Sequence, residues 1–512
     1  MSADLLERLR TAVARCQGRR DARHSFTCAE GPTQPTIHHG ASLGSLPLPG
    51  VVQGSLRDPP RPPGPRDRLP GASFLAFRRD ALALLLRTTR RYGDIAYYQL
   101  GGMHLYLVTH PDHVKDVLVT HHRHFTGIAF EAGKSVTGEG LLSAQGEVHR
   151  RHRRVLQPAF QRDRIANYGR VMVDRARRWC EGRQAGEVVA LRSEMARLTL
   201  GVVGETMFGA EDECAAAEIR AFLDAAIGLF TPSTFYLGRL LERFPLPASR
   251  RFIRARSRLD DRVYGLIERR RAMAADRGDL LSLLLRAQDV EGDGGELTDR
   301  EVRDEVVTIF LAGHETTANA LTWSWCLLAD HPEAEREMHR ELAAVLGDRL
   351  PSAEDLPSLL FTSGVFAETL RLRPTVPMIF RRVVEPLELG GYRIPRRAIV
   401  VLSQYVTHRD ARFYEDPERF DPRRWLPEAR AARPRFAFFP FGGGPRVCIR
   451  EHFAWLEAVL LLAAIAQRWR IVPVGSGPAP APVPALQTRP PDWLQMRMEP
   501  RSTREAHPTP PP

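Results

Sequence analysis

Apolar residues recur along most of this chain in steps of three and four. Phe453, Leu456, Leu460 and Leu461 follow that spacing, so a helix is predicted after Cys448, through the largely apolar run from Phe453 to Ile465. Ser73 to Tyr92 reads as a helix, and Pro111 opens a short one to Thr120. From Gln161 to about Gln288 helical patterns follow one another, broken at Pro232 and Pro245-Leu246-Pro247. The longest begins at a capping box, Thr298-Asp299-Arg300-Glu301, and stops near Asp330, where His331-Pro332 ends it. That is about 30 residues, or about 45 Å of helix, enough to cross a whole domain. Its middle (Val306, Val307, Ile309, Phe310, Leu311) is apolar on several faces, as in a buried helix. Strands are fewer: Ile95 to Leu100 and His104 to Val108, joined at Gly101-Gly102, then Leu387 to Ile394 with a Gly390-Gly391 turn, and Ala398 to Leu402. The expected fold class is mainly α with a small β region.

The two ends break the pattern. Leu5, Leu6, Leu9 and Val13 could form a short amphipathic helix, but Asp4 and Glu7 argue against a targeting segment. Residues 1–58 are expected to be a disordered or non-core extension, and Arg57 to Pro70 an extended, polyproline-like lead-in. After residue 470 the chain turns Pro-rich, and residues 501–512 are expected to be a disordered tail. Between them, 59–500 is expected to be one domain, although 512 residues alone would suggest about three.

Net charge is +12 with a pI near 9.9, carried mainly by arginines scattered through amphipathic helices. No zinc-finger spacing or RNA-binding aromatic motif accompanies them, so nucleic acid is not an expected partner. They read as a solvated surface, with a patch for an acidic electron-donor protein as the sharper alternative. Six cysteines (Cys16, Cys28, Cys180, Cys214, Cys326, Cys448) show no paired spacing, which points to a reducing compartment. No apolar run approaches the ~20 residues that span a bilayer.

Candidate chemistry concentrates at Phe441-Gly442-Gly443-Gly444-Pro445-Arg446-Val447-Cys448-Ile449-Arg450. A cysteine at a loop-to-helix junction faces the positive end of a helix dipole and unpaired backbone N–H groups, both of which favour the metal-ligating thiolate. A buried, inert cysteine is the commoner fate of a lone Cys. The surroundings change the balance: Phe-x-x-Gly-x-Arg-x-Cys resembles the haem-ligating loop of the cytochrome P450 superfamily. The resemblance implies haem b with Cys448 as axial thiolate, which favours O–O cleavage. It places Phe441 and Ile449 against the haem and Arg446 near a propionate. One position departs: the family usually has Gly where Arg450 stands. A long cation there must point away from the porphyrin or toward a propionate; it would raise the iron's potential or weaken haem binding.

Three further segments fit the same family. Ala312-Gly313-His314-Glu315-Thr316-Thr317 resembles the oxygen-activation motif, with Ala312 and Gly313 leaving room for a flat cofactor and Glu315 and Thr316 as the acid and alcohol of a proton relay. A threonine back-bonded to the preceding turn is compatible with that role; His314 reads as a packing residue or water contact. Glu368-Thr369-Leu370-Arg371 is an E-x-x-R pair that the family completes with an Arg in Pro-Glu-Arg-Phe, here assigned to Arg419 of Pro417-Glu418-Arg419-Phe420. His149 and Arg153, i and i+4 on one helix face, correspond to propionate-binding positions, as does Arg381. Phe310, Val376, Pro377, Met378, Ile379 and Leu486 are expected to line an apolar pocket, beneath a loop bearing Ile128, Ala129 and Phe130. The helical segment near Pro232 and Pro245 corresponds to the family's lid.

The resemblance further implies a long central helix over a haem held by a proximal Cys loop. The implied protein is a cytoplasmic, bacterial-type monomer that inserts one atom of O2 into a lipid, terpenoid or polyketide-like molecule. Electrons would come from NAD(P)H through a separate ferredoxin or flavodoxin-type donor and its reductase. Two alternatives stand beside it: a haem-thiolate isomerase, dehydratase or peroxygenase needing no electron donor, and a haem-binding homologue impaired by Arg450.

Overall fold

Thr298 and Glu301 start the longest helix as their spacing predicts. Thr298 Oγ1 accepts from the Glu301 N–H at 3.3 Å, and Glu301 Oε2 accepts from the Thr298 N–H at 2.8 Å. The computed structural model describes residues 61–65, 71–100, 102–127, 134, 136–209, 222, 247–273, 279–286, 295–475 and 487–501. These lie within one compact unit, residues 57–512. The expected extension 1–58, the Ile128-Ala129-Phe130 tip, Pro232 and Pro245 of the lid, Leu486, and the tail beyond Arg501 lie outside them.

In chain order the elements are α1 (Ala72–Tyr92), β1 (Ile95–Leu100), β2 (Met103–Val108), α2 (Pro111–Lys115), β3 (Phe125–Gly127), α3 (Gly146–Leu156), α4 (Arg162–Glu181), β4 (Val188–Ala190), α5 (Leu191–Phe208), α6 (Pro247–Met273), α7 (Leu280–Leu284), α8 (Asp299–Asp330), α9 (Pro332–Leu346), α10 (Leu360–Leu372), β5 (Ile379–Val383), β6 (Leu387–Leu389), β7 (Tyr392–Ile394), β8 (Ile399–Leu402), α11 (Gln404–Thr407), α12 (Pro427–Ala431), α13 (Glu451–Ala466), β9 (Trp469–Pro473) and β10 (Gln495–Pro500). The architecture is mainly helical with a small sheet region, as expected. The predicted helix from Pro111 to Thr120 is instead α2 followed by one π turn, Asp116–Thr120.

Helix α8 is the spine. It packs on α5, α10 and α13, while α13 packs on α4. Trp323 and Trp325 are buried in the main core cluster, which runs from α4 and α5 through α8 and α10 into α13. Burying side chains of this size contributes roughly 1.5–3 kcal/mol each. Polar groups inside α8 are tied down locally. Thr322 Oγ1 donates to Ala318 O at 2.7 Å, and Ser324 Oγ donates to Ala320 O and Thr369 Oγ1, both at 3.0 Å.

The main sheet has the order β1-β2-β8-β5-β3, with β2 and β8 parallel and the other pairs antiparallel. A second sheet runs β4-β10-β9, and β6 and β7 form a separate hairpin. Strand β5 gave no sequence signal because Arg381 and Arg382 interrupt any alternation. Yet it pairs on both edges, Arg381 opposite Val400 on one side and Gly127 on the other.

Candidate active site

Three glycines, a proline and one backbone bond shape the loop before α13. The Cys448 N–H donates to Phe441 O at 2.9 Å, closing it into a ring. Gly444 has φ 65°, and a Cβ there would come within 1.9 Å of Leu118 O, so only glycine fits. Gly443 likewise abuts the Phe436 ring. Two of the three glycines thus admit neighbouring protein. Gly442 is the exception, with Ile379 Cδ1 at 3.6 Å from a Cβ built there.

The cysteines separate by environment. Cys180 and Cys326 are buried, and burial pushes both thiols up to about 12, which makes them inert packing groups. Cys448 is exposed although protein encloses it, so its thiol faces an internal cleft. Burial raises its pKa, while the Arg450 backbone N–H, the Arg450 charge and, more weakly, Arg153 act in the opposite direction. The helix terminus therefore favours the thiolate as expected but does not by itself outweigh burial; a cation at the sulfur would.

Across the cleft stands the middle of α8. Ala312 is exposed there in a helix otherwise almost wholly buried, and its neighbour Gly313 lies against Arg450, two residues beyond Cys448. Thr316 Oγ1 donates to Ala312 O at 2.8 Å, the back-bond expected for this motif. Glu315 turns toward α5, its Oε1 3.9 Å from Nη1 of Arg192, and Arg192 also holds Asp492 at 2.6 Å. His314 is buried with Nδ1 2.7 Å from Phe310 O, a packing role.

Basic groups gather at one side of the cleft. His149 and Arg153 project from α3, Arg381 from β5 and Arg446 from the Cys loop. Arg153 Nη1 donates to Val447 O at 2.8 Å, and Arg381 Nη1 to Phe380 O at 3.1 Å. Arg446 Nη2 donates to Ala144 O at 2.7 Å and Gln145 Oε1 at 3.0 Å. Burial brings both Arg381 and Arg446 down to about 10, Arg446 further opposed by Arg381 and Arg153. His149 is lowered to about 3, by burial first and then by Arg446 and Arg153. Among the described residues, neither Arg153 nor Arg381 meets a carboxylate. A concentration of buried positive charge of this kind fits a ligand that brings carboxylates of its own.

The same features test the haem that the sequence motifs imply, and they fit. Among the described residues one cysteine is accessible, Ala312 of α8 is exposed while the space at its neighbour Gly313 is taken by Arg450 and not left for a cofactor, and the arginines on one side suit two propionates. No group of three or more His, Cys, Asp or Glu is assembled for a metal among the described residues. A lone thiolate is the donor set of a metal whose other ligands come from a macrocycle. Phe441 packs near Trp455, ring centres 6.2 Å apart, and Ile449 is half-buried against the same core cluster.

On the far side, Glu368 and Arg371 are fully buried and doubly bonded, Arg371 Nε and Nη2 each donating at 2.8 Å. Arg371 also donates to the carbonyls of His408, Pro417 and Arg419 at 2.9, 2.5 and 3.0 Å. The Arg419 side chain is exposed, and only its backbone oxygen joins this network, accepting from Arg371, which corrects the expected triad. Its place is taken by Arg424, Nε 3.4 Å from Glu368 Oε1, while Trp425 Nε1 donates to Oε2 at 2.9 Å. The sequence carried the signal: Pro422-Arg423-Arg424-Trp425 repeats the Pro-x-Arg-aromatic spacing five residues later.

The expected pocket residues divide. Phe310 is buried on α8 and Ile379 lies beside the Cys loop at Gly442. Met378, on the opposite side of the chain from Ile379, packs with Phe380 on the apolar cluster between α1 and the main sheet, a correction to its assignment. Val376 is half-buried and Pro377 buried, the carbonyl of Pro377 accepting from Tyr405 N–H and Ser403 Oγ at 3.2 Å. The final turn is anchored here: Thr488 N–H donates to Thr375 O at 3.1 Å, and Trp323 Nε1 to Thr488 O at 3.1 Å.

Comparison with known proteins gives the same assignment. The family model described as Cytochrome P450 matches residues 62–494. Cyclooctatin synthase from Streptomyces melanosporofaciens is 41% identical over 419 residues, covering 80% of this chain and 89% of that protein. Cyclooctat-9-en-7-ol 5-monooxygenase from the same organism is 37% identical over 422 residues, 81% of this chain and 92% of that protein. Among solved structures, the cytochrome P450DA heme domain superposes with a TM-score of 0.77 at 26% identity, over 87% of this chain and 98% of that one. The chain belongs to the cytochrome P450 family, with a haem-thiolate cofactor and oxidoreductase activity.

Proposed function

We propose that this protein is a monooxygenase that oxidises a cyclic terpenoid at an unactivated position, with Cys448 as the axial ligand of its haem. The overall change is substrate, O2, two electrons and two protons giving an oxygenated product and water. The two electrons enter singly from a separate ferredoxin or flavodoxin-type donor, reduced in turn by NAD(P)H. When bound, the haem supplies activation of dioxygen at an iron that carries the thiolate.

The chain's own groups supply the rest. Arg153, Arg381, Arg446 and His149 hold the propionate edge. Thr316 Oγ1, fixed by Ala312 O, presents its hydroxyl to the cleft, and Glu315, within reach of Arg192, passes protons between that hydroxyl and the surface. Phe310, Val376 and Ile379 keep the substrate's surroundings apolar.

The observation that carries this reading is the exposed Ala312 with back-bonded Thr316 on α8, beside the Gly313 that Arg450 abuts two residues beyond the exposed Cys448. The substrate class is supported by the relatives named for cyclooctatin and cyclooctat-9-en-7-ol. The test is turnover of cyclic terpenes and terpene alcohols with NADPH, ferredoxin and ferredoxin reductase under isotopically labelled O2. One labelled oxygen per product supports the proposal. Product formed from a hydroperoxide substrate without reductant would favour the electron-independent alternative, and a loaded but idle haem the impaired one.

A further inference from the structure

Arg450 stands at the N-cap of α13, where its length would allow it to reach solvent. It turns inward instead and is only 6% exposed. Its Cζ lies 4.4 Å from the centre of the Phe453 ring, and Nη1 lies 3.4 Å from Ile309 O on α8. A Cβ on Gly313 would stand 1.5 Å from that same nitrogen, so the absence of a side chain at Gly313 is what admits the guanidinium. Nε and Nη2 have no hydrogen-bond partner among the described residues. Glu457, two turns along α13, is fully buried as well and is the carboxyl that the Arg450 charge acts on, but burial holds it up to about 8, so it does not neutralise the guanidinium at neutral pH.

Leaving a guanidinium buried without a carboxylate in contact is expensive. Arginine also stays protonated under all ordinary conditions, so its charge is permanent. The arginines at the propionate edge have carboxylates to meet once haem is bound. Arg450 points toward α8, and its charge acts on two buried groups, the Glu457 carboxyl and, two residues back in the chain, the Cys448 sulfur.

We infer that Arg450 is a positioning residue that fixes a permanent positive charge between the Cys448 loop and α8, and that this charge raises the reduction potential of the haem iron. The inference rests on the haem-thiolate reading above. Uptake of one electron from the external donor converts ferric to ferrous iron and lowers the charge of the site by one. A cation held nearby in a low-dielectric interior favours the state with the lower charge. Charge and hydrogen bonding around the axial ligand are among the levers by which a protein sets such potentials.

The test compares substrate-free holoenzymes by potentiometric titration, with spin state matched by absorbance. Arg450→Gln removes the charge and keeps a polar side chain, and its midpoint is expected below that of the parent. Arg450→Lys keeps the charge and is expected to stay closer to the parent than Arg450→Gln does. Gly313→Ala displaces the guanidinium by sterics, is expected to lower the midpoint too, and decides the matter if Arg450→Gln does not load haem. A midpoint unchanged in Arg450→Gln overturns the inference, as does Arg450→Lys falling as far as Arg450→Gln, since shape rather than charge would then be responsible. The carbon monoxide spectrum of the reduced parent keeps the two readings apart: a non-thiolate spectrum removes the haem-thiolate assignment, whereas a thiolate spectrum with an unmoved midpoint removes this inference alone.

Discussion

Arg424 Nε lies 3.4 Å from Oε1 of Glu368, a carboxylate with no solvent exposure that also binds Arg371, Trp425 and the Asp421 N–H. Every lone pair of Glu368 is thus directed at a donor, which is what allows a charge to sit there. Glu368→Ala leaves Arg371 as an uncompensated buried cation and is expected to cost about 3–5 kcal/mol. Arg424→Ala is expected to cost about 1–3 kcal/mol. Arg419→Ala, which keeps the backbone carbonyl that matters, should fall within about 0.5 kcal/mol of the parent. Denaturant melts of the three holoenzymes check the order; Arg419→Ala proving worse than Arg424→Ala would restore Arg419 to the triad.

Removing the Thr316 hydroxyl takes away the group back-bonded to Ala312 O while leaving the helix intact. Thr316→Ala is expected to retain haem and fold, and to divert most of the reducing equivalents into hydrogen peroxide, roughly a tenfold loss of coupling for a group worth about 1.4 kcal/mol. Peroxide formed per NADPH consumed measures it, and unchanged coupling would remove Thr316 from the relay.

Cys448→Ala is expected to abolish the thiolate-type carbon monoxide spectrum of the reduced protein. Cys180→Ala and Cys326→Ala, both packing thiols, should leave that spectrum in place and lose only stability, about 1 kcal/mol for the small cavity each creates. Retention of the thiolate spectrum in Cys448→Ala would refute the ligand assignment.

His149 gives a pH signature. Its folded pKa is depressed to about 3 from an ordinary 6.5, first by burial and then by Arg446 and Arg153. Below pH 6.5 the unfolded chain therefore binds a proton that the folded chain refuses. Stability falls as pH drops from 6.5 toward 3, on the order of 1 kcal/mol per unit for this residue. Propionates beside His149 would raise its folded pKa and shrink that loss. Acid melts of haem-stripped and haem-loaded protein should accordingly diverge below pH 6.5, and His149→Phe should flatten the stripped curve. Parallel curves would place the propionates elsewhere.

Features written in adjacent residues were legible in the sequence. The capping box of α8, the cysteine loop and the Glu368–Arg371 pair each depend on neighbours within a few positions, so spacing alone locates them. What spacing could not decide was which of two similar segments folds back onto Glu368, because Phe420 and Trp425 both satisfy the aromatic position. Packing selects Trp425, whose indole N–H reaches the carboxylate. The destination of Arg450 was equally hidden, being set by how α8 and α13 cross. Strand β4 escaped notice because it is three residues long, and it gains its hydrogen bonds from β10, far away in the chain.

The parallel pairing of β2 with β8, reinforced by Thr407 Oγ1 donating to Thr109 O across 298 residues, has a kinetic corollary. During synthesis the hairpin β1–β2 emerges early and keeps one edge open until its partner strand has left the ribosome. So wide a loop closes slowly, and an open edge is a template for association with other chains. Nascent protein of this kind should depend on chaperones until translation has passed residue 402.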